Sequence, residues 1–154
     1  MFMKPILAAA AVAFALPALA GDITIKDAYA RASTPVSKSG AAFMVIENAA
    51  DQPDQLIAAR SDIAAKLELH THKQDANGVM HMMEVPGGFP IPAHGSHVLA
   101  RGGDHIMLLG LHKGLTQGET FKITLTFRNA GDVTVEVPVD LKRMPKMGGM
   151  KMDN

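Results

Sequence analysis

The 154-residue chain contains no cysteine and no tryptophan, few aromatics and no excess charge of either sign. Without cysteine there are no disulfides, thiolate metal sites or cysteine nucleophiles. A formal net charge of zero, with Lys and Arg scattered along the chain, argues against nucleic acid as a partner, because that needs a concentrated basic face. No Gly-x-Ser-x-Gly, no His-Glu-x-x-His and no convincing carboxylate pair occurs, so nothing points to an enzyme. What is plentiful is methionine, at 11, and histidine, at 7, in a chain long enough for one domain with a real core.

The first 20 residues read as a cleaved export signal. Met1-Phe2-Met3-Lys4 is a short basic start, Ile6 to Leu16 an apolar run, and Ala18-Leu19-Ala20 a small-x-small cleavage pattern. The run is too short to span a bilayer comfortably, so no membrane span is expected after cleavage. The exported protein is expected to begin at Gly21, and with no cysteine after that point a lipid anchor is not expected.

Most of the remainder alternates as strands do. Strands are expected at Ile23–Tyr29, Gly40–Glu47, Gln55–Arg60, Lys66–Thr71 and Ser96–Ala100, with a helical turn over Ser61–Ala65 and a loop from Pro90 to Gly95. Asp75-Ala76-Asn77-Gly78 is a hairpin signal, because Asn-Gly tolerates positive φ. Phe121, Ile123, Leu125 and Phe127, then Val133, Val135, Val137 and Val139, alternate with polar residues around Asn129-Ala130-Gly131, as a half-buried antiparallel hairpin requires. Many short strands without a long amphipathic helix point to an all-β sandwich or Greek-key barrel. Strand patterning stops at Leu141, leaving 21–141 as the domain and 142–154 as a flexible Met-rich tail.

The chemistry lies in three segments: His70-Thr71-His72, Val79-Met80-His81-Met82-Met83, and His105-Ile106-Met107. In a strand His105 and Met107 share one face, as do His70 and His72, and Met80 and Met82. The Asn-Gly hairpin sets the first two segments side by side. Imidazole and thioether donors together suit copper(I), a soft ion. One methionine on an apolar strand is ordinary packing, but the co-occurrence of all three segments in an exported chain without cysteine favours a copper(I) site. A blue-copper electron carrier is excluded, because that centre uses a Cys thiolate.

The order of these segments, followed by Ile91-Pro92-Ala93-His94-Gly95, Gly102 to Leu111, and Leu115 to Phe127, resembles the PCuAC family of periplasmic copper(I) chaperones. The likeness covers about Ile23 to Val139. It implies a cupredoxin-like β-sandwich holding one copper(I) through two His and two Met, in the periplasm of a Gram-negative bacterium. It implies no catalysis, but delivery toward the binuclear copper centre carried by a cytochrome c oxidase subunit, in concert with Sco-type thiol proteins. Sequestration of copper through the same ligands is the alternative. His105 and Met107 carry over directly from the family motif. Literal spacing then selects His72 and Met83, whereas neighbouring residues select His70 and Met82. The second pair is favoured, because loops absorb single insertions readily while a one-residue strand slip reverses the face. His72 and Met83 remain accessory or alternative ligands, as do Met144, Met147, Met150 and Met152 of the tail.

Overall fold

The computed structural model describes residues 18–144. The basic start and apolar run of the export signal, and the tail methionines Met147, Met150 and Met152, lie outside the described residues.

Strands account for the described fold, in chain order β1 (Ala18–Ala20), β2 (Ile23–Arg31), β3 (Ser39–Asn48), β4 (Asp54–Arg60), β5 (Ala64–Gln74), β6 (Met80–Glu84), β7 (Phe89–Ile91), β8 (Gly95–Leu99), β9 (His105–Leu111), β10 (Thr120–Phe127) and β11 (Gly131–Pro138). They form two antiparallel sheets. The larger runs β1-β2-β3-β9-β5-β6, with β8 also pairing β3, and the smaller runs β11-β10-β4-β7. Ile25, Met44, Ile46, Ile106 and Leu108 of the larger sheet and Leu56, Ile123, Leu125, Val135 and Val137 of the smaller are buried in one common core. The architecture is therefore the all-β sandwich that the alternation predicts.

The β10–β11 hairpin pairs residue for residue from Thr120↔Pro138 to Phe127↔Gly131. Its turn ends on Gly131 at φ 78°, a conformation L side chains rarely adopt. Three local readings differ from the sequence expectation. No helical turn forms over Ser61–Ala65, because β5 begins at Ala64 and pairs there with Leu111. The stretch expected as a loop from Pro90 holds the end of β7, where Phe89 and Ile91 are buried and Pro90 is exposed on an edge strand that can spare its N–H. Finally, β2 is not a simple strand. Its pairing with β3 shifts between Lys26 and Tyr29, with Asp27 at φ 55°. That bulge inverts the alternation, so Tyr29 and Arg31 share the outer face of the larger sheet with Phe43 and Ala41, their partners on β3.

Candidate metal centre

β9 is two-sided. Ile106 and Leu108 enter the core fully buried, so His105 and Met107 must project from the outer face of the larger sheet. Cross-strand pairing then dictates the neighbours. Met107 lies opposite Ala41 on β3 and Glu68 on β5, and His105 lies opposite His70. One strand further, His72 lies opposite Met82, and His70 opposite Glu84. Met83 pairs with Thr71, on the other face of β6.

A cavity of 270 Å³ opens on this outer face, and His72, Met82, His105 and Met107 all line it. His105 is only 1% exposed. Its Nδ1–H donates to the Gly103 carbonyl at 3.0 Å. The proton is thereby fixed on Nδ1, and the buried Nε2 is left as a bare lone pair with no hydrogen-bond partner. Burial pushes the His105 pKa below its usual value, the Gly103 hydrogen bond opposes this, and the neighbouring His72 and His70 add to it. The ring is therefore a neutral electron-pair donor at neutral pH. Nδ1 of His72 lies 3.2 Å from the same Gly103 oxygen. One carbonyl thus accepts from both imidazoles, each through its Nδ1. The two ring centroids are 5.2 Å apart.

His70 is engaged differently. Its Nε2–H donates to Glu68 at 2.7 Å, and its Nδ1 is buried without a partner. Glu68 is held below the usual carboxylate range by Lys66 first and His70 second. His70 sits beside His105, ring centroids 5.8 Å apart, but does not line the cavity. The structure therefore brings His72, Met82, His105 and Met107 together, with His70 against the back of the group and Met83 turned away. Met144, at the end of the described chain, is exposed.

Among the described residues no three His, Cys, Asp or Glu side chains converge as a metal cage. An ion held here has thioether sulfur available beside the imidazoles, from Met82 and Met107. The donor set is neutral, soft and uncrowded by carboxylates, which fits copper(I) and disfavours calcium, magnesium or zinc.

Residue patterning did not reveal what holds the donors in place. The Ala100–Asp104 loop is closed by Gly103 N–H to the Ala100 carbonyl and by Ala100 N–H to the Asp104 carbonyl, both at 3.0 Å. Asp104 also accepts from His97 at 2.7 Å, and His97 stacks on Phe89 of the other sheet, centroids 5.2 Å apart. Sequence alone gives His97 as a surface histidine. In the fold it is the clasp that ties the loop to β7. The doublet Gly102-Gly103 just before the His-x-Met was the only signal that the loop's backbone mattered. His81, His94 and His112 are exposed, and the first two pair with Asp75 and Asp51.

Comparison with known proteins identifies the family. A family model for LpqE-like lipoproteins matches residues 23–139. Lxx21020 of Leifsonia xyli subsp. xyli, which carries a lipoprotein name, is 38% identical over 99 residues, 64% of this chain and 59% of that protein. The match thus spans about three-fifths of that relative's length. The copper-bound PCuAC domain from PmoF2 superposes with a TM-score of 0.66 and 25% identity, covering 80% of this chain and 96% of that one. The copper(I)-bound solution structure of DR1885 from Deinococcus radiodurans gives 0.62 and 35%, covering 86% of this chain and 84% of the other. With the family model matched across nearly all the described strands, and with identity of this order to a solved PCuAC protein, the chain belongs to the LpqE-like family, the PCuAC type of copper chaperone domain.

Proposed function

We propose that the protein is an exported copper(I) metallochaperone that carries one ion in the outer-face cavity through His72, Met82, His105 and Met107. The observation carrying this is the bare, buried Nε2 of His105 beside a cavity lined by two thioethers and a second imidazole. Burying a polar nitrogen without a partner costs about 1–3 kcal/mol, and a bound cation removes that cost. Neutral ligands hold copper(I) less tightly than thiolates, which suits a carrier that must release its cargo. Export is supported by the N-terminal pattern and by the lipoprotein name of the Leifsonia relative. The receiving site proposed is the binuclear copper centre of cytochrome c oxidase, reached in concert with Sco-type thiol proteins. The role is transfer, with no chemical turnover.

An anaerobic copper(I) competition titration on the full chain tests the binding. One tight equivalent is expected, weakened at least tenfold in M107A, M82A and H72A, since each of these removes a direct ligand. M83A and H70A are expected to retain most of the affinity. Sensitivity to H70A and M83A instead would reverse the assignment of the β5–β6 ligands. Binding indifferent to both Met82 and Met107 would end the copper(I) reading. Growth separates transfer from sequestration: a deletion strain that fails only under copper scarcity supports delivery, and one that fails only under excess overturns it.

A further inference from the structure

The cavity is larger than an ion needs. A single water needs about 10–15 Å³ of such space, against about 270 Å³ in this cavity. The soft donors of β5 and β6 occupy one side. On the β2–β3 side the lining includes Arg31, Ser33, Ser39 and, from the Ala100–Asp104 loop, Arg101. Two other arginines pair with carboxylates, Arg60 with Asp132 and Arg143 with Asp27. Among the described residues neither Arg31 nor Arg101 forms an ion pair. Nε of Arg31 is buried with no partner, and Arg101 reaches only the Arg143 carbonyl, at 3.4 Å. Two uncompensated guanidiniums thus flank a cavity whose other donors are neutral. Ser33 and Ser39 bring two hydroxyls to the same lining, and Ala32, Ala41 and Phe43 add apolar surface.

We propose that this side of the cavity is an anion subsite seating a small organic carboxylate beside the copper(I) donors. A guanidinium fork matches a carboxylate in shape and charge. The hydroxyls supply further donors, and the alanines and Phe43 accept a short hydrocarbon body. The anion also offsets the positive charge that copper(I) adds next to two arginines, so anion and metal favour one another. That coupling rests on the copper reading above, whereas occupancy of the subsite in metal-free protein does not.

The test follows the Arg31 Nε–Hε resonance of the full chain by NMR during titration with succinate, with sodium chloride of matched ionic strength, and with a blocked peptide carrying one Glu. A saturable succinate shift is expected, absent with chloride and abolished in R101Q, which still binds one copper(I). R31Q, followed through backbone resonances around Ser39–Ala41, is expected to lose the response as well. In copper-loaded protein succinate is expected to bind on the order of tenfold tighter, and by reciprocity to tighten copper by the same factor. A shift that merely follows ionic strength, or that survives R101Q, overturns the subsite. Saturation by the peptide alone overturns the small-molecule ligand in favour of a partner protein's side chain. Loss of copper binding with the succinate response intact would instead sink the chaperone reading and leave the subsite standing.

Discussion

The two nitrogens of His105 have opposite surroundings. Nδ1 is satisfied by the Gly103 carbonyl, while Nε2 is buried with nothing to bond. In the metal-free protein that atom is a cost, so H105L, which fills similar space without the orphan nitrogen, is expected to unfold at no lower denaturant concentration than the parent at pH 7. The same environment fixes the pH dependence. Burial depresses the folded-state pKa below the usual 6.5, so the unfolded chain takes up the proton first. The contribution of His105 to stability is therefore complete above about pH 6.5 and is lost as pH falls from there toward the folded-state value. Urea midpoints measured without metal between pH 8 and 5 should decline more in the parent than in H105L. Equal declines would mean that His105 is not buried as a neutral ring. At this scale the sequence was readable for His105 and Met107, because a His-x-Met in a strand has only one possible geometry. It was less readable for His70 and His72. Both occupy the same face of β5, and what separates them is the Glu68 carboxylate that engages one and the Gly103 carbonyl that engages the other.

Elements were legible where alternation was undisturbed, as in β10 and β11, and illegible where a backbone irregularity changed the parity. The bulge at Asp27 puts Tyr29 and Arg31 on the outer face, and nothing in Ile23–Tyr29 as a string of letters announces it. The Ala100–Asp104 loop is another such case. Its Gly103 carbonyl orients two imidazoles, yet its position depends on Asp104, His97 and Phe89, from three separate elements. Outer groups that orient metal ligands typically contribute 10–100-fold in affinity. H97F should keep the stack on Phe89 but lose the hydrogen bond to Asp104, and D104N should weaken the same bond from the other end. Both are expected to lower copper(I) affinity about tenfold while leaving one equivalent bound. Thermal unfolding of H97F should move by only a few degrees. An affinity unchanged in both variants would show that the loop holds its shape without the clasp. A loss of affinity matched by a large drop in stability would show that the clasp is simply structural.

Across the whole molecule the proposed ligands are unevenly distributed. All four lie on the larger sheet, and they join an exposed edge strand to an internal one. Every residue of β6 is exposed, and the strand pairs only with β5, whereas β9 is flanked by β3 and β5 and contributes three fully buried side chains, His105, Ile106 and Leu108. An exposed edge strand opens at low free energy, and a central strand opens only with the domain. Copper(I) bound by Met82 and His105 would tie one to the other, so it should stabilise local opening of β6 as well as global unfolding. A ligand present at a hundredfold excess over its Kd adds about 2.7 kcal/mol to each equilibrium that releases it. Hydrogen exchange under anaerobic conditions should therefore slow at Met80–Glu84 and in the adjoining part of β5 on copper addition. The β10–β11 hairpin, which touches no proposed ligand, should slow only where it exchanges by global unfolding. In M82A the protection of β6 should vanish while that of β9 and the Ala100–Asp104 loop persists, because His105 and Met107 still hold the ion. If β6 exchanges at the same rate with and without copper, Met82 does not reach the metal. The ion would then sit on β5 and β9 alone, and His70, with its buried free Nδ1, becomes the donor that closes the site.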